Sequence, residues 1–152
     1  AGQPVTVEPR QAQSGAHQIV ISFTSTVSAA QFPTVNATAG ATTLPVSTAF
    51  SGNDMTVTIG SAGTPVPNGS RVVVSAMGVG TASGVNPSVV IGFLVGDVDA
   101  SRGVNALDVN TVRTGIGATL TSTNFKRDID VSGGINALDV NTTRVRIGNT
   151  LP

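Results

Sequence analysis

The 152-residue chain contains no cysteine, tryptophan or tyrosine and only one histidine. Without cysteine it has neither a disulfide framework nor a cysteine-based metal site, and cysteine usage does not indicate a redox compartment. Sugar-binding surfaces usually stack pyranose rings on tryptophan or tyrosine, so a carbohydrate-binding module is disfavoured. An acid–base pair in the first 95 residues would have to come from Glu8, Asp54 and His17, and no nucleophile motif accompanies them. We therefore expect no catalytic activity.

Charge and long apolar runs are scarce as well. Charged residues make up 11% of the chain and the formal net charge is zero, so a binding site for nucleic acid or an acidic membrane surface is not indicated. No apolar run approaches the roughly 20 residues that span a bilayer. The start, AGQPVTVEPR, lacks the pattern of a signal peptide. We expect a mature chain or, in preference, a C-terminal piece of a larger protein that is secreted or displayed on the cell surface.

Residues 1–95 alternate short β-rich segments with turn formers, and carry few charges. This spacing predicts about seven strands and no long helix. The predicted strands are residues 4–7, 17–24, 32–38, 43–50, 55–59, 71–76 and 88–95. We predict an immunoglobulin-like β-sandwich over residues 1–95, followed by a second domain over residues 96–152.

Six of the eight acidic residues lie in two similar twelve-residue segments. Loop 1 (Asp97–Asp108) reads DVDASRGVNALD and loop 2 (Asp128–Asp139) reads DIDVSGGINALD. Both place Asp at positions 1, 3 and 12, Ser at position 5 and Asn at position 9. Alternate residues of a tight loop can direct their oxygens at one centre, and a carboxylate at position 12 closes the cage. This pattern predicts two Ca²⁺ sites, with solvated Asp/Asn turns as the alternative.

The repeat continues beyond the loops, ending DVNTVRTGIG and DVNTTRVRIG. A short helix is expected after each loop. Asn105 and Asn136 are its predicted caps, each with an Asp three residues later in a capping-box arrangement. Neither loop–helix unit can bury its own apolar face, so we expect the two to pack against each other as a pseudo-twofold pair.

A complete EF-hand also has a helix entering its loop, whereas here a strand-like VVIGFLVG precedes loop 1 and a polar TLTSTNFKR precedes loop 2. Loop followed by helix, twice, resembles the dockerin family from Gly96 to about Leu151. The resemblance implies a small all-α pair of Ca²⁺ loop–helix motifs that binds a cohesin module. Some dockerins follow an immunoglobulin-like X module, and the predicted sandwich resembles that arrangement.

The resemblance also implies the residues of each site. The implied Ca²⁺ ligands are Asp97, Asp99, Ser101, the Gly103 carbonyl, Asn105 and Asp108 in loop 1, and Asp128, Asp130, Ser132, the Gly134 carbonyl, Asn136 and Asp139 in loop 2. Asn105 would act directly or through water. The implied partner-binding residues are Ala106, Leu107, Arg113 and Thr114 in the first repeat, and Ala137, Leu138, Arg144 and Val145 in the second. Leu107 and Leu138 are equally well interpreted as core residues.

Two features depart from the usual loop. Position 6 normally carries Gly because the chain turns there with positive φ, and loop 1 has Arg102 instead. A non-glycine residue in that conformation costs roughly 1 kcal/mol, unless Gly103 shifts the turn. Position 5 is Ser in both loops, so each site has three carboxylates. We expect affinities toward ~10⁻⁴ to 10⁻³ M, with loop 1 the weaker site.

Two classes of function are consistent with these features. One is a non-catalytic, calcium-dependent docking tail of a larger secreted protein, which binds a cohesin-like partner, as in polysaccharide-degrading assemblies. The other is a calcium-stabilised structural terminus without a docking partner. The repeated helix faces favour docking, while their lack of aromatic anchors favours the structural alternative. A solvent-exposed apolar stripe along Val112, Ile116 and their equivalents in the second repeat would favour docking, and burial of that stripe against the sandwich would favour the structural alternative.

Overall fold

The computed structural model describes residues 6–78 and 86–152. Its elements are β1 (Thr6–Glu8), β2 (Ala16–Ser22), β3 (Thr34–Ala39), β4 (Thr42–Leu44), β5 (Val46–Ser51), β6 (Asp54–Gly60), β7 (Ser70–Met77), β8 (Ser88–Phe93), α1 (Ala106–Arg113), a 3-10 helix (Phe125–Arg127) and α2 (Ala137–Arg144). The strands form a five-stranded sheet of order β1-β8-β7-β3-β4 and a three-stranded sheet of order β2-β6-β5. Within the described ranges, no helix has the length and apolarity needed to cross a membrane.

Segment 43–50, predicted as one strand, is two. Pro45 separates β4, which pairs with β3, from β5, which pairs with β6. Proline cannot donate a ladder hydrogen bond, so a strand is readily broken there. The chain therefore moves from one sheet to the other at this residue. The predicted strand at residues 4–7 lies partly outside the described residues.

One compact unit, called here the sheet unit, comprises the described residues of Ala12–Val66 and Val72–Val90. Its buried side chains alternate along the strands, as the period of two predicts. Met55, Val57 and Ile59 of β6 and Val72, Val74 and Ala76 of β7 are each no more than 1% exposed. These apolar positions supply most of its core.

The other compact unit, called the repeat unit, comprises the described residues up to Gln11, together with Pro67–Arg71 and Ile91–Pro152. In it β1 runs parallel to the end of β8, with Val7 opposite Gly92. The Gly96 N–H donates to the Pro9 carbonyl at 2.8 Å. Val7, Leu94 and Val104 form a buried cluster against which Leu151 packs. Residues far apart in the chain thus pack against Val104 of loop 1.

The predicted fold class is wrong. Among the described residues the chain is mostly β, with two sheets and only two short α-helices, and no separate all-α C-terminal pair is present. The helices share the repeat unit with β1 and the end of β8. A physical reason is that each helix has eight residues, whereas isolated helices below about 12–15 residues are marginal. The two sheets remain compatible with a sandwich, and the boundary after residue 95 stays a prediction.

Candidate metal centres

Each loop brings three carboxylates to one point. Oxygens of Asp97, Asp99 and Asp108 lie within 4.8 Å of one another, and Asp128, Asp130 and Asp139 form the equivalent group. These are positions 1, 3 and 12 of the two loops. No triad carboxylate lies within salt-bridge distance of a lysine or arginine in the part of the chain that the structure describes. Each triad can therefore hold a metal ion through oxygen ligands.

The aspartate at position 1 organises the tip of the loop. Its carboxylate in loop 1 accepts hydrogen bonds from the Ser101 N–H at 3.0 Å and the Arg102 N–H at 2.9 Å. Loop 2 repeats this arrangement, since the carboxylate of Asp128 accepts from Ser132 and Gly133, both at 3.0 Å. These bonds curl the backbone around the first carboxylate, so the loop geometry is built into the fold.

The aspartate at position 12 connects the loop to its helix. The carboxylate of Asp108 accepts hydrogen bonds from the N–H groups of Val98 at 2.9 Å, Asp99 at 3.3 Å and Asn105 at 2.9 Å. Asp139 does the same in the second repeat, with the Ile129 N–H at 2.6 Å. Both carboxylates are fully buried. Hydrogen bonds to the carboxylate at position 12 therefore hold both ends of each loop together, and they involve no ligand.

The predicted helix caps are confirmed. Asn105 and Asn136 are the N-cap residues, and each forms a capping box with the Asp three residues later. The Oδ1 atom of Asn105 accepts from the Leu107 N–H at 2.7 Å, and its Nδ2 donates to the Gly103 carbonyl at 3.3 Å. Because Oδ1 is used by the cap, a water-mediated role for Asn105 fits better than direct ligation.

The remaining implied ligands lie in the same network. Ser101 Oγ donates to the Gly103 carbonyl at 3.1 Å and lies 3.4 Å from an oxygen of Asp97. In loop 2, Ser132 Oγ donates to the Gly134 carbonyl at 3.4 Å. The structure therefore brings together all six residues predicted for each site. Their donors are oxygens, which suits a hard cation.

Burial and mutual proximity set the electrostatics of loop 1. Burial, together with the nearby Asp99 and Asp108, raises the pKa of Asp97 to about 6, even though the Arg102 N–H favours its ionised form. Burial also raises the pKa of Asp108. For Asp99, hydrogen bonds from Ser101 outweigh burial and hold the pKa below its ordinary value. A divalent cation would offset the cost of holding such closely spaced carboxylates ionised.

Both loops contain left-handed backbone at two positions. Position 6 has φ of 73° at Arg102 and 93° at Gly133, as expected from the glycine preference. Gly103 does not take over the turn, because Arg102 itself keeps the positive φ. Position 4 also has positive φ, 59° at Ala100 and 57° at Val131. A β-branched residue there is a conformational outlier, and the sequence pattern had not pointed to this position.

Replacing Arg102 with Gly is expected to strengthen Ca²⁺ binding at loop 1 by about fivefold, because removing roughly 1 kcal/mol of left-handed strain favours the binding conformation. The matched control is Gly133→Ala in loop 2, which introduces the same strain and should weaken that site by a similar factor. Calorimetric titration of each variant, with the other loop disabled by Asp128→Ala or Asp97→Ala, measures both effects. Unchanged affinity in both variants would show that position 6 does not limit binding.

The two repeats are joined by reciprocal hydrogen bonds. The Gly117 N–H donates to the Ile135 carbonyl of loop 2 at 3.0 Å, and the Gly148 N–H donates to the Val104 carbonyl of loop 1 at 2.9 Å. The two loops are offset by 31 residues, and these donors and acceptors occupy equivalent positions in the two repeats. Val112, Ile129 and Ile135 form a buried cluster beside them. The expected packing of the two repeats against each other is thus confirmed, with pseudo-twofold exchange of contacts.

The residues predicted to contact a partner are all exposed: Ala106, Leu107, Arg113, Thr114, Ala137, Leu138, Arg144 and Val145. Leu107 and Leu138 are 67% and 64% exposed, so the alternative that placed them in the core is wrong. Val112 and Ile116, the apolar residues whose exposure was to distinguish the two functions, differ from each other. Val112 is buried, whereas Ile116 is 49% exposed. Buried Val112 lies in the cluster of the repeat unit itself.

No protein-family model and no curated protein sequence matches this chain. The resemblance to dockerins therefore depends on the repeated loop residues, and it stays a prediction.

Proposed function

We propose that the two triads bind Ca²⁺, and that the calcium-loaded repeat unit is a non-catalytic docking module of a larger secreted or surface-displayed protein. The observation that carries this proposal is the position of Leu107 and Leu138. Each lies two residues after a capping asparagine, is about two-thirds exposed, and directly precedes the aspartate that closes the loop. A cation held by that aspartate would fix the orientation of an exposed leucine at each helix start.

Calcium is the cation favoured by the donor set. Three carboxylates with serine hydroxyl and backbone carbonyl oxygens nearby provide the six or more oxygen ligands that Ca²⁺ takes. Mg²⁺ usually keeps several waters and is held by one or two carboxylates. The expected affinities of ~10⁻⁴ to 10⁻³ M would match extracellular calcium, and for this reason the proposal includes a secreted or surface location.

A cohesin-like module is the proposed partner, by the resemblance of the loops to those of dockerins. The repeat unit offers two similar faces, because Leu107, Arg113 and Ile116 recur as Leu138, Arg144 and Ile147. All six are exposed. Exposed leucine and isoleucine side chains at fixed spacing are suitable anchors for a protein interface.

The second candidate is a calcium-stabilised structural module with no docking partner. It is favoured by the burial of Val112 and Thr143, the equivalent positions of the two helices, inside the repeat unit. If the module is structural, the cations stabilise the fold, and the exposed Leu107 and Leu138 form no interface.

Binding of the full chain to a panel of purified cohesin modules, in millimolar Ca²⁺ and in EDTA, separates the two candidates. We expect calcium-dependent binding that Leu107→Ala/Leu138→Ala weakens at least about thirtyfold, since anchor residues contribute about 2 kcal/mol or more. Val20→Ala is the matched control, because Val20 is 59% exposed and lies in the sheet unit. Two bound Ca²⁺ with no module captured would favour the structural candidate.

A further inference from the structure

A shallow cleft lies between α1 and α2. Its lining residues are Arg113, Ile116, Ala137, Val140, Asn141 and Arg144. Three of these are aliphatic, and the two arginines come from equivalent positions of the two repeats. Arg113 and Arg144 are both exposed. The cleft therefore combines an apolar lining with two guanidinium groups.

The charge of the surrounding surface depends on the metal. Between residues 91 and 152, all of which the structure describes, the six acidic residues are the members of the two triads. The same segment has six lysines and arginines, so its formal charge is zero. Two divalent cations would change this charge to +4 and leave no carboxylate side chain outside the metal sites. Metal binding thus makes the segment cationic.

We propose that this cleft binds a protein partner through an apolar side chain flanked by carboxylates, and that it does so only when both loops hold calcium. This inference rests on the proposed docking function and names the chemistry of the partner. Guanidinium groups pair with carboxylates in bidentate fashion, and aliphatic neighbours exclude water from such pairs. In the absence of calcium, the triad aspartates cancel the positive potential that attracts an acidic partner.

A protein is preferred over other anionic ligands because of the composition of the cleft. Nucleic-acid and lipid-headgroup sites use clusters of cations to contact many phosphates. Here two arginines stand among Ile116, Ala137 and Val140. This mixture of few charges and aliphatic surface matches the core and rim of a protein interface.

The test uses the full chain and a fluorescent random copolymer of glutamate and tyrosine, which supplies carboxylates beside apolar groups. In millimolar Ca²⁺ we expect binding at least about tenfold tighter than in EDTA. Arg113→Gln/Arg144→Gln should lose about tenfold, while Arg71→Gln/Lys126→Gln, which removes equal charge outside the cleft, should lose less than about threefold. Asp97→Ala/Asp128→Ala in the same buffer controls for calcium bridging to the polymer. The variant holds no calcium but has lost two negative charges, so it should bind more tightly than the EDTA sample and more weakly than the calcium-loaded wild-type chain.

Equal losses in the two charge-matched double variants would overturn the inference. So would tighter binding to heparin or to phosphatidylserine vesicles than to the copolymer, since these probes represent nucleic-acid-like and lipid ligands. Both results leave the proposed function intact if cohesin modules still bind through Leu107 and Leu138. Failure of the chain to bind Ca²⁺ in calorimetry would instead overturn the proposed function together with the charge change.

Discussion

Removing divalent cations from a solution with about 10 mM Ca²⁺ is expected to lower the free energy of unfolding of the repeat unit by about 3–5 kcal/mol. At the expected Kd of ~10⁻⁴ to 10⁻³ M, this concentration is about 10 to 100 times the Kd and contributes about 1.4–2.7 kcal/mol per site, and the unit has two sites. The loss should be large relative to the unit's own stability, because its clusters of fully buried apolar side chains are small. Much of the folding energy would then come from the metal, as in other small metal-dependent domains.

Thermal melts in about 10 mM Ca²⁺ and in EDTA, followed by far-ultraviolet circular dichroism, measure this effect. We expect a lower melting temperature in EDTA and loss of the signal of α1 and α2. Asp97→Ala/Asp128→Ala is the control, and its melt should not respond to calcium. Identical melts of the wild-type chain in both buffers would contradict a metal-dependent fold.

Replacing Asp108 with Ala is expected to cost on the order of 3 kcal/mol of stability even without calcium, and to abolish metal binding at loop 1. The substitution leaves the N–H groups of Val98, Asp99 and Asn105 without their acceptor. An unsatisfied buried donor costs about 1–3 kcal/mol, and neighbouring losses are not additive. Asp139→Ala should act in the same way on loop 2.

Two control substitutions separate the structural role of Asp108 from its charge. Asp108→Asn keeps one acceptor oxygen, so it should lose calcium binding but less stability. Asp99→Ala removes an exposed ligand whose carboxylate accepts a hydrogen bond from the Ser101 N–H. It should weaken metal binding while changing stability in EDTA by less than about 0.5 kcal/mol. Chemical denaturation in EDTA and calcium titration give the two quantities separately. Equal stability losses for Asp99→Ala and Asp108→Ala would contradict these roles.

The local features of the candidate sites could be predicted from the sequence. Spacing of the aspartates identified both triads, and the Asn–Asp pairs identified the helix caps, because these contacts join residues only a few positions apart. The positive φ at Arg102 followed from the general geometry of such loops. The positive φ at Val131 did not, since valine gives no signal of left-handed backbone.

Contacts between distant segments could not be predicted in this way. The pairing of β1 with β8, and the hydrogen bond from the Gln11 N–H to the Ile129 carbonyl at 2.7 Å, join residues more than 80 positions apart. The guanidinium of Arg10 lies 4.8 Å from the centre of the Phe125 ring, another contact of this kind. Periodicity records which face of a segment is apolar but not which segment covers it. The fold class was wrong for this reason.

The exposure of Leu107 and Leu138 could not be decided from the sequence either. Both lie at the start of an amphipathic helix, where an apolar residue suits the core as well as an interface. The structure leaves them in solvent because the capping box directs the neighbouring aspartate, and not the leucine, into the interior.

Calorimetric titration of Ca²⁺ into the EDTA-stripped chain tests the central claim most directly. The account predicts two bound ions, with one lost in Asp97→Ala and the other lost in Asp128→Ala. It also predicts that loop 2, which has Gly133 at the strained position, binds more tightly than loop 1. A titration without heat, and without any change in helical circular dichroism, would contradict the account and leave the two triads as solvated turns.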